Sequence, residues 1–299
     1  MQKMIPKLND SFLHRIPLIV LLVLSVSGFK WGHRAPVFDS IVPVIVYARE
    51  IPRADGLVID SGNNLYIASE KSHGYVLRIS PDGQRKTIIK KLDRADGITI
   101  DGQKNIYISA ETTDGYITRL TPEGKSTKLI TGITNPEGIV FDSQQRLYIA
   151  EDSKEGRILR YENGQLSILA EGLKRPEGIT IDRKDNLYIN ETLTNKILIL
   201  RSGQNIETYL ESEIIKEPDG ITYCPAYDGL FVTEDQHSGR LFFIDRYKNI
   251  TTISKKLSSP QGLACDRDGN LFISEQGKNR ILKISAIHLR PLLVINNRN

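Results

Sequence analysis

From residue 43 onward the chain is built of apolar runs of four to six residues, cut by turns of Gly, Asp, Asn, Pro and Ser. One cycle reads Gly97-Ile-Thr-Ile-Asp101, Asn105-Ile-Tyr-Ile-Ser109, Ile117-Thr-Arg-Leu120 and Thr127-Lys-Leu-Ile130. Runs this short, rich in Ile, Tyr and Thr, predict strands. Pro81-Asp82-Gly83, Pro122-Glu123-Gly124 and Glu162-Asn163-Gly164 predict tight hairpins between the third and fourth strand of a unit. No sustained 3.6-residue periodicity follows residue 30, so no later helix is expected.

The cycle has a fixed length. A glycine recurs at Gly56, Gly97, Gly138, Gly178, Gly220 and Gly262, in steps of 40 to 42 residues. Ten or eleven residues after each comes an aromatic: Tyr66, Tyr107, Tyr148, Tyr188, Phe231 and Phe272. A four-stranded sheet cannot bury both faces alone, whereas six arranged radially can. The expectation is an all-β fold, a six-bladed β-propeller of four-stranded antiparallel blades; an open solenoid would need capping units, and none is present. Pro43-Val-Ile-Val-Tyr47 stands where the fourth strand of a preceding unit belongs, so it is expected to close the ring in blade six. Pro291-Leu-Leu-Val-Ile295 would then be an additional strand or tail, and the choice between the two termini stays open.

Ahead of the repeats, Ile16 to Phe29 is an apolar run preceded by Lys3, Lys7 and Arg15, resembling a secretory signal. The expected organisation is a signal peptide or N-terminal membrane anchor over 1–29, a linker over 30–42 and the propeller over 43–299. Either leader places the body outside the cytoplasm, periplasmic or secreted, and touching a membrane only through residues 16–29 if they are retained. The formal charge is +4, of which residues 1–28 contribute +2, so nucleic acid is not expected as a partner. Nothing in the sequence points beyond a monomer. Cys224 and Cys265 are too few for a disulfide framework or a multi-Cys zinc site and are read as buried free thiols.

Arg175-Pro-Glu-Gly-Ile-Thr-Ile-Asp182 followed by Asp185-Asn-Leu-Tyr-Ile189 resembles the NHL-repeat and gluconolactonase/regucalcin-like propellers. Ser259-Pro-Gln-Gly-Leu263 with Asp268-Gly-Asn-Leu-Phe-Ile-Ser-Glu-Gln276 is similar to streptogramin (virginiamycin B) lyase repeats. The matching residues are the turns and strands that every blade requires, so the likeness addresses fold more than chemistry.

The candidate chemistry lies at the propeller mouth, where the turn entering the first strand and the loop between strands two and three emerge together. Directly before the repeat glycines stand Asp55, Asp96, Glu137, Glu177, Asp219 and Gln261. Carboxylates converging on an axis repel one another by roughly 1.7 kcal/mol per pair at about 10 Å and an effective dielectric of about 20. A divalent cation would neutralise them, Ca²⁺ favoured and Mg²⁺ or Zn²⁺ possible; so would shared protons, or Arg53, Arg94 and Arg175 pairing with the acids two residues on. By that pairing Glu137 and Asp219 are left over. The gluconolactonase resemblance implies Asp55, Glu177 and Asp219 as metal ligands; Glu137, left over by the arginine pairing, would assist, and His237 or His73, in the loops between strands two and three, would carry the proton. Glu70, Glu111, Glu151, Glu191, Glu234 and Glu275 form a second set, read as an inter-blade hydrogen-bonding device; the lyase resemblance would make Glu275 a Mg²⁺ ligand. That resemblance also implies a His before an entering glycine, which is missing here. Asn190 offers either an amide oxygen to a cation or a turn residue, and Asn190 and Asn249 head glycosylation sequons.

Three functions follow. An exported, metal-dependent hydrolase of small esters or lactones, gluconolactonase-like, is favoured; the alternative is a non-catalytic NHL-type module binding a protein or glycan at the mouth; a streptogramin-lyase-like enzyme comes third.

Overall fold

The computed structural model describes residues 38–295. The signal or anchor expected over 1–29, and most of the expected linker, lie outside them. No helix among the described residues is long and apolar enough to cross a membrane.

Six antiparallel sheets stand around one axis. Their innermost strands are Ala54–Ile59, Ala95–Ile100, Pro136–Phe141, Pro176–Ile181, Pro218–Cys224 and Pro260–Cys265, each followed outward by three more. Six apolar clusters fill the six gaps between neighbouring blades, one per gap. Between blades one and two, for example, Ala68 and Val76 meet Ile98, Ile106, Ile108 and Leu120. Strand alternation therefore feeds one row of each sheet into the gap behind it and the other into the gap ahead.

The repeat glycines sit in the innermost strands beside a register shift, at ordinary φ. Close approach explains them: a Cβ on Gly56, Gly97, Gly138, Gly178 or Gly220 would strike the backbone carbonyl of Asp96, Glu137, Glu177, Asp219 or Gln261 in the next blade. Gly262 faces the Asp55 carbonyl in the same way, so blade six packs back on blade one and the ring is closed. The repeat aromatics have a second task at the opposite end. Tyr66, Tyr107, Tyr148 and Tyr188 donate their hydroxyls to Asp60, Asp101, Asp142 and Asp182, whose carboxylates also cap the backbone of the first hairpin.

The N-terminal strand closes the ring as expected: Ile45–Arg49 pairs with Arg280–Ile284 as the outer strand of blade six. Within the stretch read as linker, Asp39–Ser40 adds a fifth strand to blade five, against Ser254 and Lys255.

Two expectations are corrected. Residues Ala286–Ile295 form an α-helix, where a strand or tail was expected. The outer edge of blade six is already taken by Ile45–Arg49, so the C-terminal segment has no strand to pair with; a helix satisfies its own backbone. Leu289 and Leu293, one turn apart, enter the core between blades five and six. Secondly, Cys224 and Cys265 are joined in a disulfide, with Cα atoms 5.5 Å apart. Each ends an innermost strand, and innermost strands of neighbouring blades lie closest together near the axis, within bridging distance.

Candidate functional site

The mouth is built by a local backbone device. In each entering turn the residue two places before the acid is left-handed: Arg53, Arg94, Asn135, Arg175, Glu217 and Ser259 have φ between 40° and 56°. That turn drops the next residues onto the axis around a cavity of about 180 Å³, with Asp55, Asp96, Glu177 and Asp219 buried and Glu137 partly so. Asp55, Asp96, Glu137 and Asp219 line it, above the aliphatic side chains of Leu57, Ile98, Ile139, Ile179, Ile221 and Leu263.

Carboxylate oxygens of Glu137, Glu177 and Asp219 lie within 4.8 Å of one another. Asp55 belongs to a different group, with Glu70 and Asp96, and Glu137 also meets Glu111 and Asp152. Of the four residues read as metal ligands, three therefore come together and Asp55 stands apart from them. Burial pushes Asp55, Asp96, Glu137 and Asp219 well above the ordinary carboxylate range, and neighbouring carboxylates push further the same way. Glu177 is raised to about 7 by burial, against the stabilising Thr192 hydroxyl and Arg175.

The expected pairing of each arginine with its own acid holds in one case of three. Arg175 pairs with Glu177 and, bidentately at 2.8 and 3.0 Å, with Asp152. Arg53 turns to Glu70, and Arg94 to Glu70 and Glu111. Asp55 instead accepts the Gln276 amide at 2.7 Å.

The second set of glutamates divides. Glu151, Glu191, Glu234 and Glu275 accept the backbone N–H of Thr134, Lys174, Lys216 and Ser258, at 2.7 to 3.0 Å, and so clamp the turn entering their own blade. The inter-blade bonds come from the residue one place earlier: Ser109, Asn190, Thr233 and Ser274 donate to the carbonyls of Glu137, Asp219, Gln261 and Asp55. Register also shows that Glu70 and Glu111 sit one residue beyond the clamping position, which in their blades holds Ser69 and Ala110. Their counterparts at the mouth are Asp152, Thr192, Asp235 and Gln276, four residues that the repeat alone did not single out. The signal was present one place after the clamping glutamate in blades three to six, a one-residue offset from Glu70 and Glu111 in blades one and two.

Asn190 lies inside strand Leu187–Glu191, fully buried, its amide nitrogen bonded to the Asp219 carbonyl at 2.6 Å and its Oδ1 without a partner. It is no turn residue, and burial withdraws it from glycosylation. Asn249 is exposed, with its amide nitrogen bonded to Asp245 at 2.8 Å. His73 and His237 are exposed on the strand two to three loops of blades one and five, and none of the three acid groups includes a histidine.

Among solved structures, a gluconolactonase from Xanthomonas campestris superposes with a TM-score of 0.71 at 14% identity, covering 81% of this chain and 89% of that one. Virginiamycin B lyase from Staphylococcus aureus gives 0.62 at 18% identity, covering 82% and 86%. A chain of a nidogen/laminin complex gives 0.62 at 22% identity, covering 72% and 85%. No family model and no curated protein matches the sequence. The chain thus has the propeller fold of gluconolactonases and streptogramin lyases. At these identities the likeness is one of fold, and the chemistry has to come from the site.

The donors at the mouth are oxygens. Two oxygens on one Ca²⁺ at about 2.4 Å stand at most about 4.8 Å apart, so the Glu137, Glu177 and Asp219 group has the spread of a hard-cation site. Zn²⁺ fits worse, because its usual nitrogen and sulfur ligands are missing from these groups.

Proposed function

We propose that the protein is a divalent-cation-dependent hydrolase of small esters or lactones acting at the propeller mouth. The observation that carries this reading is the Glu137, Glu177 and Asp219 group, in which an arginine reaches Glu177 but neither of the others. Glu137 and Asp219 would hold the cation, Ca²⁺ or Mg²⁺, with Glu177 as third ligand. Bound there, the cation would polarise a carbonyl and acidify a water. Thr192 and Arg175 hold Glu177 in place, Thr192 being itself fixed on the Pro218 carbonyl at 2.7 Å. His237, exposed two residues beyond Asp235, is assigned the transfer of the proton to solvent, with His73 the corresponding candidate in blade one. Export through residues 1–29 belongs to the same proposal, supported by the Cys224–Cys265 disulfide, a bond typical of oxidising compartments.

The test is metal content of the purified protein, thermal stabilisation by Ca²⁺ and Mg²⁺, and turnover on a panel of lactones and aryl esters. Stabilisation and turnover that both vanish in Glu137→Gln are expected; no stabilisation by either ion at millimolar excess would sink the proposal. A second reading, a binding module, is favoured by the short mouth loops, four residues in every blade, between strands two and three. It predicts stabilisation without turnover.

A further inference from the structure

The end of the wheel opposite the mouth carries basic side chains in the gaps between its blades. On that face, blades four and five part around a groove of about 700 Å³. Blade four opens it: its outer strand Glu207–Glu211 has five residues where blade one has eight in Arg85–Leu92.

Arg183, Lys184, Arg201, Arg246 and Lys248 line the groove against two acids, Asp182 and Asp228. Those acids are already committed. Asp182 accepts three backbone or amide N–H groups and the Tyr188 hydroxyl, and Asp228 accepts the Tyr223 hydroxyl at 2.7 Å. Arg201 is paired with Glu207, whereas Lys184, Arg246 and Lys248 are exposed and have no carboxylate partner among the described residues. Tyr209 lies between the two blades with Lys248 Nζ 4.8 Å above its ring, and Tyr223 stands opposite, half-buried. Two narrower gaps on the same face repeat the theme. Arg78, Lys86 and Lys104 line that between blades one and two, beside Asp60 and Glu123; Arg146, Arg160 and Arg201 line that between blades three and four, beside Asp185 and each already paired with a carboxylate. The Nε atom of Arg78 has no hydrogen-bond acceptor among the described residues.

We propose that this face binds an acidic polysaccharide, a chain of sugar rings bearing sulfate or carboxylate groups, anchored in the groove between blades four and five. Cations dispersed over three gaps match a repeating polyanion better than a single phosphate, and multiple contacts release counterions from it. Tyrosine rings in a recess give sugar rings apolar faces and hydroxyl partners, which a flat lipid surface could not reach. The acidic mouth repels the same chain, so binding is confined to one end.

The experiment is calorimetric titration of the full chain with a size-defined heparin oligosaccharide and with polygalacturonate, at low and at physiological salt. Binding is expected to weaken steeply with salt, and the Arg246→Ala/Lys248→Ala double variant to weaken it at least about tenfold. Lys71→Ala, on a mouth loop, should leave it unchanged, as should Ca²⁺. Lys184→Glu gives an independent loss should the double variant melt early. Wild-type affinity in both groove variants overturns the proposal, and so does equal binding of uncharged dextran. A DNA oligonucleotide or phosphatidylserine vesicles binding as tightly as heparin would overturn the assignment to a polysaccharide.

Discussion

Carboxylates ring both ends of this wheel, and the two rings behave oppositely. Asp60 lies in the first hairpin of blade one, at the end away from the mouth; burial pushes its carboxyl up, but hydrogen bonds from Asn64, Tyr66 and Gly62 outweigh that and hold it below the ordinary range. Asp55, five residues earlier, is raised well above that range, by burial and then by Glu70 and Glu111. The same residue type on the same strand is a structural cap at one end and an uncompensated charge at the other. Donors make the difference. The hairpin surrounds its aspartate with N–H and O–H groups, while the mouth surrounds its acids with further acids.

The largest effect that would break this contrast comes from exchanging the roles. Asp101→Ala removes the acceptor of two backbone N–H groups, the Asn105 amide and the Tyr107 hydroxyl. We expect a loss of about 3 kcal/mol in urea denaturation, because several donors are left unsatisfied at once. Asp96→Asn at the mouth should instead be neutral or stabilising in chelator, since it removes a buried charge. If both variants destabilise equally, the distinction between the two rings fails.

Next in size is the pH dependence. A carboxyl whose folded pKa is raised binds its proton more tightly in the native state, so its stabilising contribution is complete below its unfolded pKa and is lost as pH rises. For Glu177, raised from 4.5 to about 7, the loss runs across that interval and amounts to about 3 kcal/mol at most. Melting temperature in chelator should therefore fall as pH rises from 4.5 through 7, and Glu177→Gln should make the fall shallower over that interval. Saturating Ca²⁺ should remove most of it, since a cation replaces the protons. A melting temperature that rises over this range in chelator would contradict the assignment of raised acids.

The wheel itself was legible because its glycines and aromatics answer to constraints repeated in every blade: Gly56 and its counterparts clear a neighbouring carbonyl, and Tyr66 and its counterparts tie down a hairpin. The five entering acids were legible for the same reason. What escaped was set by register or radial position, neither of which a linear spacing displays. Glu70 and Glu151 read as equivalents, yet one faces the axis and the other clamps a turn, because the loop offset differs by one residue. Cys224 and Cys265 are 41 residues apart and meet only because both end strands at the hub. The C-terminal helix hid behind Pro291 and a span of ten residues, too short for its period to stand out beside an apolar run.

A cation titration sharpens the contrast further. Glu137→Gln and Asp219→Asn should each weaken Ca²⁺ binding by about tenfold or more, measured by calorimetry, whereas Asp60→Asn should leave it unchanged. Affinity of the wild type should climb with pH through 7, because protons on the raised acids compete with the ion. Equal losses from mouth and hairpin variants would mean that the ion binds through general surface charge.

The smallest effect concerns the arginines, and it separates charge neutralisation from cation binding. Arg53 is half-exposed and pairs with Glu70, away from the Glu137, Glu177 and Asp219 group. Exposed ion pairs contribute about 0 to 1 kcal/mol, so Arg53→Ala should lower stability by no more than that and leave Ca²⁺ affinity within about twofold. Arg175 is different, because it reaches Glu177 directly. Arg175→Ala removes a positive charge that competes with the ion for that carboxylate, so Ca²⁺ should bind more tightly while the protein in chelator becomes less stable. Opposite signs in those two measurements can arise only where arginine and cation share a carboxylate. Parallel losses would mean that Arg175 is part of the scaffold on which the acids stand, and that the cation sits elsewhere on the mouth.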